Sequence, residues 1–341
     1  MRTWMPAEWV RHEATLLTWP HDATIWEDLH EDAMRTFGEL AARLSRVERV
    51  DLAVHDDAAD QAARAALREA DACEANVRLL RLPADDVWAR DHGPLIVYRE
   101  HRDLTRSREA VAFRFNAWGG KFAHSRDALL SAGFAANLQL PYHRYPLVAE
   151  GGALEVNGAG HLLTTESVLL RPTRNPGWAA PAVEQLLGDA LGVTQVTWLV
   201  EGLEGDDTDG HIDDIARFVD ERTIVAVAPP PGHPDHEVMA ENWERLRAAR
   251  DAAGEPFRLV PLPVPQPLSH RGCPCPASYA NFYIANGLVL VPTFGQPTDA
   301  EALDVLARLF PRHRVEGLDS STLITQSGAI HCVTQQVPIA P

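Results

Sequence analysis

The chain has 341 residues, of which 45% are hydrophobic, so it can bury a large core. Its 48 acidic and 31 basic residues give a formal net charge of −17, which argues against nucleic acid or an anionic membrane surface as a partner. No stretch of the sequence reads as a transmembrane helix or a secretory signal, and we therefore predict a cytoplasmic protein.

Six segments have apolar residues at every third or fourth position, which predicts amphipathic helices. They cover about residues 31–46, 57–70, 126–138, 180–191, 236–253 and 299–310. Short β-branched runs between these helices predict buried strands, notably at 50–54, 194–200 and 223–227. Two Asn-Gly pairs with apolar flanks predict hairpins, at Asn157-Gly158 and Asn286-Gly287.

A Glu-Gly pair recurs after strand-like runs, at 150–151, 201–202 and 316–317. The separations fit a strand-strand-helix-strand module of about 50–60 residues, repeated about five times around an axis. The segment 254–276 is rich in proline, which excludes a helix and predicts an extended chain. This segment is interpreted either as a linker or as a loop that crosses the mouth of a substrate site.

The most acidic motif is GDDTDGHIDD at 205–214, directly after a predicted strand. It fits a solvated acidic loop, a calcium loop or the ligand set of a metal-dependent hydrolase, although it lacks the glycine and the closing glutamate of an EF-hand. If the segment is extended, His211 and Asp213 point to the same face and pair a base with an acid.

Three further motifs carry chemistry. In WARDHGP at 88–94, Asp91 is either a carboxylate held on a rigid turn or part of a local ion pair with Arg90. Glu150 precedes two glycines that allow a tight turn beside an acid. A lone cysteine in an apolar run such as that of Cys332 is more often an inert core residue, but Cys332 follows a glycine turn and precedes Thr-Gln-Gln, a polar context that makes a nucleophile credible.

In this order the motifs resemble those of the agmatine deiminase and bacterial (Porphyromonas-type) peptidylarginine deiminase family, whose members modify guanidino groups. The resemblance runs almost end to end. It is carried by MPAEW at 5–9, TWP at 18–20, WARDHGP at 88–94, FNAWGGKF at 115–122, EGGALEVNGAGHLLTTE at 150–166, RNPG at 174–177, GDDTDGHIDDIARF at 205–218, SYANFYIAN at 278–286 and IHCVTQQVP at 330–338.

The resemblance implies a pentein fold, which is an α/β-propeller of five ββαβ units around a pseudo-fivefold axis with the site in the central channel. Residues 1–341 then form one catalytic domain. Position by position, the resemblance makes Cys332 the nucleophile, His211 the general acid and base, and Glu150 the acid that supports His211. The residues it places around the substrate are Asp91 and Asp213, which clamp the guanidinium, Trp88 and Trp118 along the alkyl chain, and Asp207 near the amine.

The implied reaction is hydrolysis of agmatine to N-carbamoylputrescine and ammonia through a thiouronium intermediate on Cys332. A guanidinium is planar and always charged, so two opposed carboxylates bind it through paired hydrogen bonds. The scheme needs neither a metal nor another cofactor, and the expected partner is a small cationic guanidine, with a homo-oligomer left open. Alternatives are deimination of peptidyl or free arginine, an amidinotransferase, a metal-dependent hydrolase and a non-catalytic guanidine- or polyamine-binding protein.

Overall fold

The fold repeats one unit five times: two antiparallel strands, a helix, and a further strand parallel to the second. The structure is a computed structural model that describes residues 2–341. Units 2 to 5 begin at residues 95, 155, 216 and 283. Unit 1 takes its first strand from the C-terminus, because Gln335–Pro338 pairs with His12–Thr18. This is the pentein fold, with the strand-strand-helix-strand module that the Glu-Gly recurrence predicts.

Unit 1 contains Gln335–Pro338, His12–Thr18, the helix His30–Ser45 and Arg49–Val54, and is extended by the helix Asp57–Glu69 and the strand Val77–Arg81. Unit 2 contains Leu95–Glu100, Arg106–Arg114, the helix Asp127–Asn137 and Tyr142–Val148. Unit 3 contains Glu155–Val156, His161–Thr165, the helix Ala180–Leu191 and Gln195–Leu199. Unit 4 contains Ala216–Asp220, Thr223–Val227, the helix His236–Ala248 and Arg258–Leu262, and unit 5 contains Tyr283–Ala285, Leu288–Thr293, the helix Thr298–Leu309 and Arg314–Asp319.

The remaining elements are short. The strand Arg2–Trp4 pairs with Leu95–Glu100, and Leu268–His270 forms a hairpin with Cys273–Cys275. Single helical turns are Ala23–Trp26, Glu27–Leu29, Glu74–Asn76, Ala89–His92, Ala117–Gly120, Gly151–Ala153, Glu166–Leu169, Ile212–Asp214 and Leu323–Gln326. Among residues 2–341, each helix is too short or too polar to cross a membrane.

The predicted helices, strands and hairpins are all found, with one helix shorter than expected. The helix predicted at 236–253 ends at Ala248, because Ala249 has extended backbone angles and Arg250 forms a bridge with Pro256. The proline-rich segment 254–276 is extended, as predicted.

A short irregular segment leads into the first strand of each unit, and we call these five stretches the leading segments. They are residues 89–94, 150–154, 211–215, 278–282 and 329–334. Hydrogen bonds and close contacts join each one to the next in a closed ring: Gly152 N to Asp91 Oδ1 (3.0 Å), His211 Nε2 to Glu150 Oε2 (3.5 Å), Asn281 Nδ2 to Asp214 Oδ1 (2.9 Å), Asn281 Nδ2 to Cys332 Sγ (3.1 Å) and Arg90 N to Cys332 O (3.1 Å). The chemistry-bearing motifs therefore meet at the centre of the fold.

Candidate active site

A cavity of about 560 Å³ has Cys332 and Asp91 among its lining residues. Trp88, Trp118 and Asp207, which the sequence placed around the substrate, also line it. The complete lining is His21, Asp22, Ile25, Asp85, Asp86, Trp88, Asp91, Trp118, Phe122, Ala123, Arg126, Asp207, Thr208, Thr325, Gln326, Ser327, Gly328 and Cys332. Residues 254–276 contribute none of these side chains, so the structure gives no support to the interpretation of that segment as a loop over the mouth.

Cys332 is a buried thiol surrounded by acids. Its Sγ accepts a hydrogen bond from Asn281 Nδ2 (3.1 Å) and lies 3.9 Å from Asp213 Oδ2. Burial, together with the negative charges of Asp213, Asp214 and Asp91, raises the pKa of the thiol well above its usual value. The empty site therefore favours the protonated thiol, and a cation in the cavity would oppose this effect.

His211 is fully buried between two carboxylates. Its Nε2 lies 3.5 Å from Glu150 Oε2 and its Nδ1 lies 3.7 Å from Asp91 Oδ1. Burial lowers the pKa of the imidazole, but the neighbouring Asp91 and Glu150 outweigh burial and raise it to about 9. His211 is therefore an imidazolium at neutral pH and has a proton to donate.

Asp91 is held by two donors from different units. Its Oδ1 accepts from the backbone N–H of Gly152 (3.0 Å) and its Oδ2 accepts from Trp118 Nε1 (2.9 Å). Burial raises the pKa of Asp91 to about 6, against the opposing charge of His211. Trp118 reaches this carboxylate from a tight turn in which its own φ is +56°.

Asp213 belongs to a buried chain of charges that extends to the N-terminal segment. His331 Nδ1 lies 2.6 Å from Asp213 Oδ2, and His331 Nε2 lies 2.8 Å from Glu8 Oε2, both within hydrogen-bond distance. The other oxygen of Glu8 accepts from Arg217 Nη2 (3.0 Å). Burial raises the pKa of Asp213, but its contact with His331 outweighs burial and keeps that pKa below the usual value. The carboxylate of Asp213 is therefore ionised near neutral pH.

Arg174, in the RNPG motif, neutralises the acid beside His211. Its Nε donates to Glu150 Oε1 (2.9 Å) and its Nη1 donates to Asp209 Oδ2 (2.6 Å). Burial raises the pKa of Glu150, but the charge of Arg174 and the contact with His211 lower it further than burial raises it. Glu150 therefore stays ionised beside the imidazolium.

Two carboxylates of the acidic loop at 205–214 stabilise the loop itself. Asp206 accepts from the backbone N–H groups of Thr208 (2.7 Å) and His211 (3.1 Å). Asp209 pairs with Lys121 Nζ (2.8 Å) as well as with Arg174. Within residues 2–341, the His, Cys, Asp and Glu side chains close enough to share a metal ion are those of Asp213, Asp214 and Cys332.

The segment from His211 to Asp213 is not extended, so the condition for a shared strand face is not met. Residues Ile212–Asp214 form a 3-10 turn that begins at His211, so strand alternation does not set their directions. Both side chains nevertheless reach the site, His211 towards Glu150 and Asp213 towards His331. The turn, rather than a strand face, brings the two groups together.

Sequence reasoning missed four residues around the site: Asn281, His331, Glu8 and Arg174. Each lies within a motif of the resemblance, but the motifs alone assign no role to these positions. Their roles depend on contacts between segments far apart in sequence, such as that of Glu8 with His331. The repeat offered one signal, because Asn281 lies just before the first strand of a unit, as Cys332 does.

Known proteins are similar to this chain over almost its whole length. The sequence profile of the Porphyromonas-type peptidyl-arginine deiminase family matches residues 4–338. A curated relative from Pectobacterium atrosepticum, named "putative agmatine deiminase", is 32% identical over 98% of this chain and 95% of its own length.

Solved structures are similar over almost the whole chain. Agmatine deiminase of Enterococcus faecalis has a TM-score of 0.91 and 28% identity, covering 98% of this chain and 96% of its own. A substrate-bound variant of Campylobacter jejuni agmatine deiminase has a TM-score of 0.89 and 26% identity, covering 99% and 97%. With the family profile spanning residues 4–338, the chain belongs to the Porphyromonas-type peptidyl-arginine deiminase family.

Proposed function

We propose that the protein is an agmatine deiminase, which hydrolyses the guanidinium group of agmatine to yield N-carbamoylputrescine and ammonia. The charge of the cavity carries this choice of substrate. Five carboxylates line it, those of Asp22, Asp85, Asp86, Asp91 and Asp207, against one arginine, Arg126. Arg126 already donates to Asp85 over 3.1 Å. Such a cavity favours a ligand with a positive charge at both ends.

In the proposed complex, the guanidinium lies between Asp91 and Asp213. Two carboxylates that face a planar guanidinium bind its N–H pairs and fix the plane of the central carbon. The positive charge also offsets the acids that raise the pKa of Cys332, so substrate binding promotes formation of the thiolate.

The first half of the reaction transfers the amidine carbon to sulfur. The Cys332 thiolate attacks the guanidinium carbon and forms a C–S bond. His211 donates its proton to the departing nitrogen, the C–N bond breaks, and ammonia leaves. An S-alkylthiouronium remains on Cys332, and His211 is now neutral.

The second half returns the enzyme to its starting state. Neutral His211 accepts a proton from water, and the resulting hydroxide attacks the same carbon. The C–S bond then breaks, Cys332 leaves as thiolate, and the remaining hydroxyl proton passes to this thiolate as the ureido product is released. This proton replaces the one that the thiol lost to solvent when the substrate bound, so the protonated thiol of the free enzyme is restored. The overall change is one water consumed and one ammonia released.

Asp207 is the group we assign to the ammonium tail of agmatine. Its side chain lines the cavity, and its Oδ2 accepts from Ser327 Oγ (3.3 Å). Free and C-terminal arginine carry a carboxylate that would need a cation instead. Arg90 is buried against Glu8 and Gln336, and Lys121 is paired with Asp209, so neither supports an arginine substrate.

The experiment separates these substrates and the other classes of protein. The purified protein is incubated with agmatine, with arginine and with a short arginine peptide, while ammonia and ureido product are measured. Turnover of agmatine that resists a chelator and disappears in Cys332→Ala supports the proposal. A preference for arginine or the peptide would contradict the assignment of agmatine as the substrate. Product formation that requires an added amine would indicate an amidinotransferase. Loss of activity with a chelator, together with an active Cys332→Ser variant, would indicate a metal-dependent hydrolase. Guanidine binding without ammonia release would indicate a binding protein.

A second comparison tests Asp207 directly. Butylguanidine keeps the guanidinium and the four-carbon chain but lacks the ammonium. Asp207→Asn should raise KM for agmatine by about tenfold, which corresponds to about 1.4 kcal/mol, and leave that for butylguanidine unchanged. Equal changes for both compounds would show that Asp207 does not contact the ammonium.

We also propose that the protein acts in the cytoplasm. Cys73 and Cys273 are exposed free thiols, a state typical of a reducing compartment. Localisation of a tagged full-length chain by cell fractionation tests this, and recovery outside the cytoplasm would contradict it.

A further inference from the structure

The leading segment 278–282 contributes an amide to the site, whereas the other four contribute acids, a histidine or the thiol. Asp91, Glu150, His211 with Asp213, and Cys332 come from the segments before units 2, 3, 4 and 1. The segment before unit 5 contributes Asn281, whose side chain is fully buried. A buried amide needs hydrogen-bond partners, and those of Asn281 lie on the reacting groups.

Asn281 uses its full hydrogen-bonding capacity. Its Nδ2 donates to Asp214 Oδ1 (2.9 Å) and to Cys332 Sγ (3.1 Å). Its Oδ1 accepts from the backbone N–H groups of His331 (2.9 Å) and Cys332 (3.3 Å). These four partners fix which end of the amide faces the sulfur, because the two backbone N–H groups require an oxygen acceptor.

We propose that Asn281 is a catalytic residue, whose side-chain N–H donates to the Cys332 sulfur and stabilises the thiolate that attacks the substrate. No proton is transferred in this step. The same N–H stabilises Cys332 again when the C–S bond breaks and the thiolate leaves. The role in turnover rests on the proposed function, whereas the effect on the thiol holds in the free protein.

A neutral donor suits this position better than a charged one. Asp91, Asp213 and Asp214 already bring negative charge to the sulfur, and His211 lies between Asp91 and Glu150. A cation at residue 281 would compete with the guanidinium for the same carboxylates. An amide stabilises the thiolate through its dipole and adds no net charge, so it leaves the attraction for the substrate intact.

The test compares Asn281→Asp and Asn281→Ala with the unchanged protein. Aspartate has the shape of asparagine and keeps the acceptor for His331 and Cys332, but it replaces the donor by an acceptor. Alanine removes both. The matched control is Asn242→Ala, since Asn242 is also fully buried and bonds to the backbone of Val200 and Glu201, outside the ring of leading segments.

The measurement is the rate at which iodoacetamide alkylates Cys332 between pH 6 and 10, followed by mass spectrometry of the peptide that contains it. We expect Asn281→Ala to lower the rate at fixed pH by about tenfold, equivalent to about one unit in thiol pKa. Asn281→Asp should lower it further, because it adds a carboxylate beside the sulfur. kcat with agmatine should fall in the same order, and Asn242→Ala should change neither quantity.

The alanine variant distinguishes stabilisation of the thiolate from a purely structural role, because it removes the donor to the sulfur without adding a charge. If Asn281 only supports the loop, folded Asn281→Ala is alkylated at the wild-type rate at every pH, and that result would overturn the proposal. If Asn281→Ala fails to fold, an unchanged thiol pKa in folded Asn281→Asp would overturn it equally. Alkylation needs no substrate, so failure of agmatine as substrate leaves this test unaffected.

Discussion

Gly152 lies where the charged groups of the site converge, and its missing side chain leaves the space between them. A Cβ atom at this position would lie 2.5 Å from His211 Nδ1, 2.9 Å from Asp91 Oδ1 and 3.1 Å from Asp213 Oδ2. Its φ is not positive, so alanine would strain no backbone angle. The substitution Gly152→Ala therefore tests whether the reaction needs the space between His211, Asp91 and Asp213, and it does not disturb the conformation of the turn.

The expected loss is large in activity and small in stability. A carbon beside a ring nitrogen needs about 3.5 Å, so the imidazole must retreat by about 1 Å, and a shift of that size can cost about 100-fold in rate. Overpacking costs about 1–3 kcal/mol of stability, while replacing glycine recovers about 0.4–1 kcal/mol through the unfolded chain. The net destabilisation is about 1 kcal/mol, little enough for a chain of this size to stay folded.

The assay is kcat/KM for agmatine, with thermal unfolding of the same preparations. Gly188→Ala is the control. Gly188 lies in the helix Ala180–Leu191, away from the cavity, and a Cβ there would also make a close contact, 3.1 Å from Val193 O. We expect at least a 100-fold loss of kcat/KM in Gly152→Ala and none in the control. A folded Gly152→Ala protein with activity within threefold of wild type would refute the conclusion that the reaction takes place in the space between His211, Asp91 and Asp213.

Four further predictions concern the ionisation and hydrogen bonding of the site. The kcat/KM for agmatine should rise most steeply below about pH 6, where Asp91 also ionises, continue to rise as more Cys332 thiolate forms, and level off above about pH 9 as His211 loses its proton. The pKa of His211 in the folded protein lies above the usual 6.5, so the protonated imidazole stabilises the folded state fully below pH 6.5, and this contribution is lost as pH rises through about 9. The difference in Tm between wild type and His211→Gln should therefore shrink between pH 6.5 and about 9. Glu8→Gln should raise KM about tenfold by weakening the contact of His331 with Asp213, whereas Glu155→Gln, which also removes a partner of Arg217, should leave KM unchanged. Trp118→Phe should raise KM about tenfold by removing the donor to Asp91, and Trp198→Phe, which loses a comparable bond to Glu184 outside the cavity, should not.

The local parts of the fold could be predicted from the sequence because they depend on neighbours in the chain. Apolar spacing located the helix His30–Ser45 to within one residue of the predicted bounds. It placed the end of the unit 4 helix too late, because the periodicity continues past Ala248 where a bridge from Arg250 to Pro256 takes the backbone away. Long-range pairing of the backbone overrode the local pattern there.

The residues of the site also fall into those that the sequence could identify and those whose roles depend on long-range contacts. Cys332, His211 and Asp91 each have a structural interpretation in isolation, and they could be singled out because their motifs, in this order, resemble those of a known family. Asn281 does not, since a lone asparagine before a strand is ordinary, and its role is visible only when its Nδ2 is found on the sulfur of a residue 51 positions away. His331 likewise acquires its partner Glu8 only through a contact across 323 positions.

The construction of unit 1 explains why the pKa of the Cys332 thiol depends on the completed fold. Its first strand, Gln335–Pro338, comes from the C-terminus, and the leading segment of that strand holds Cys332. Until this strand pairs with His12–Thr18, the thiol is not enclosed by the carboxylates of units 2 and 4. Closure of the ring buries Cys332 and raises the pKa of its thiol, and a bound guanidinium lowers it again. The same acids that select the substrate therefore keep the nucleophile unreactive until the substrate arrives, a protection that the exposed Cys73 and Cys273 do not share.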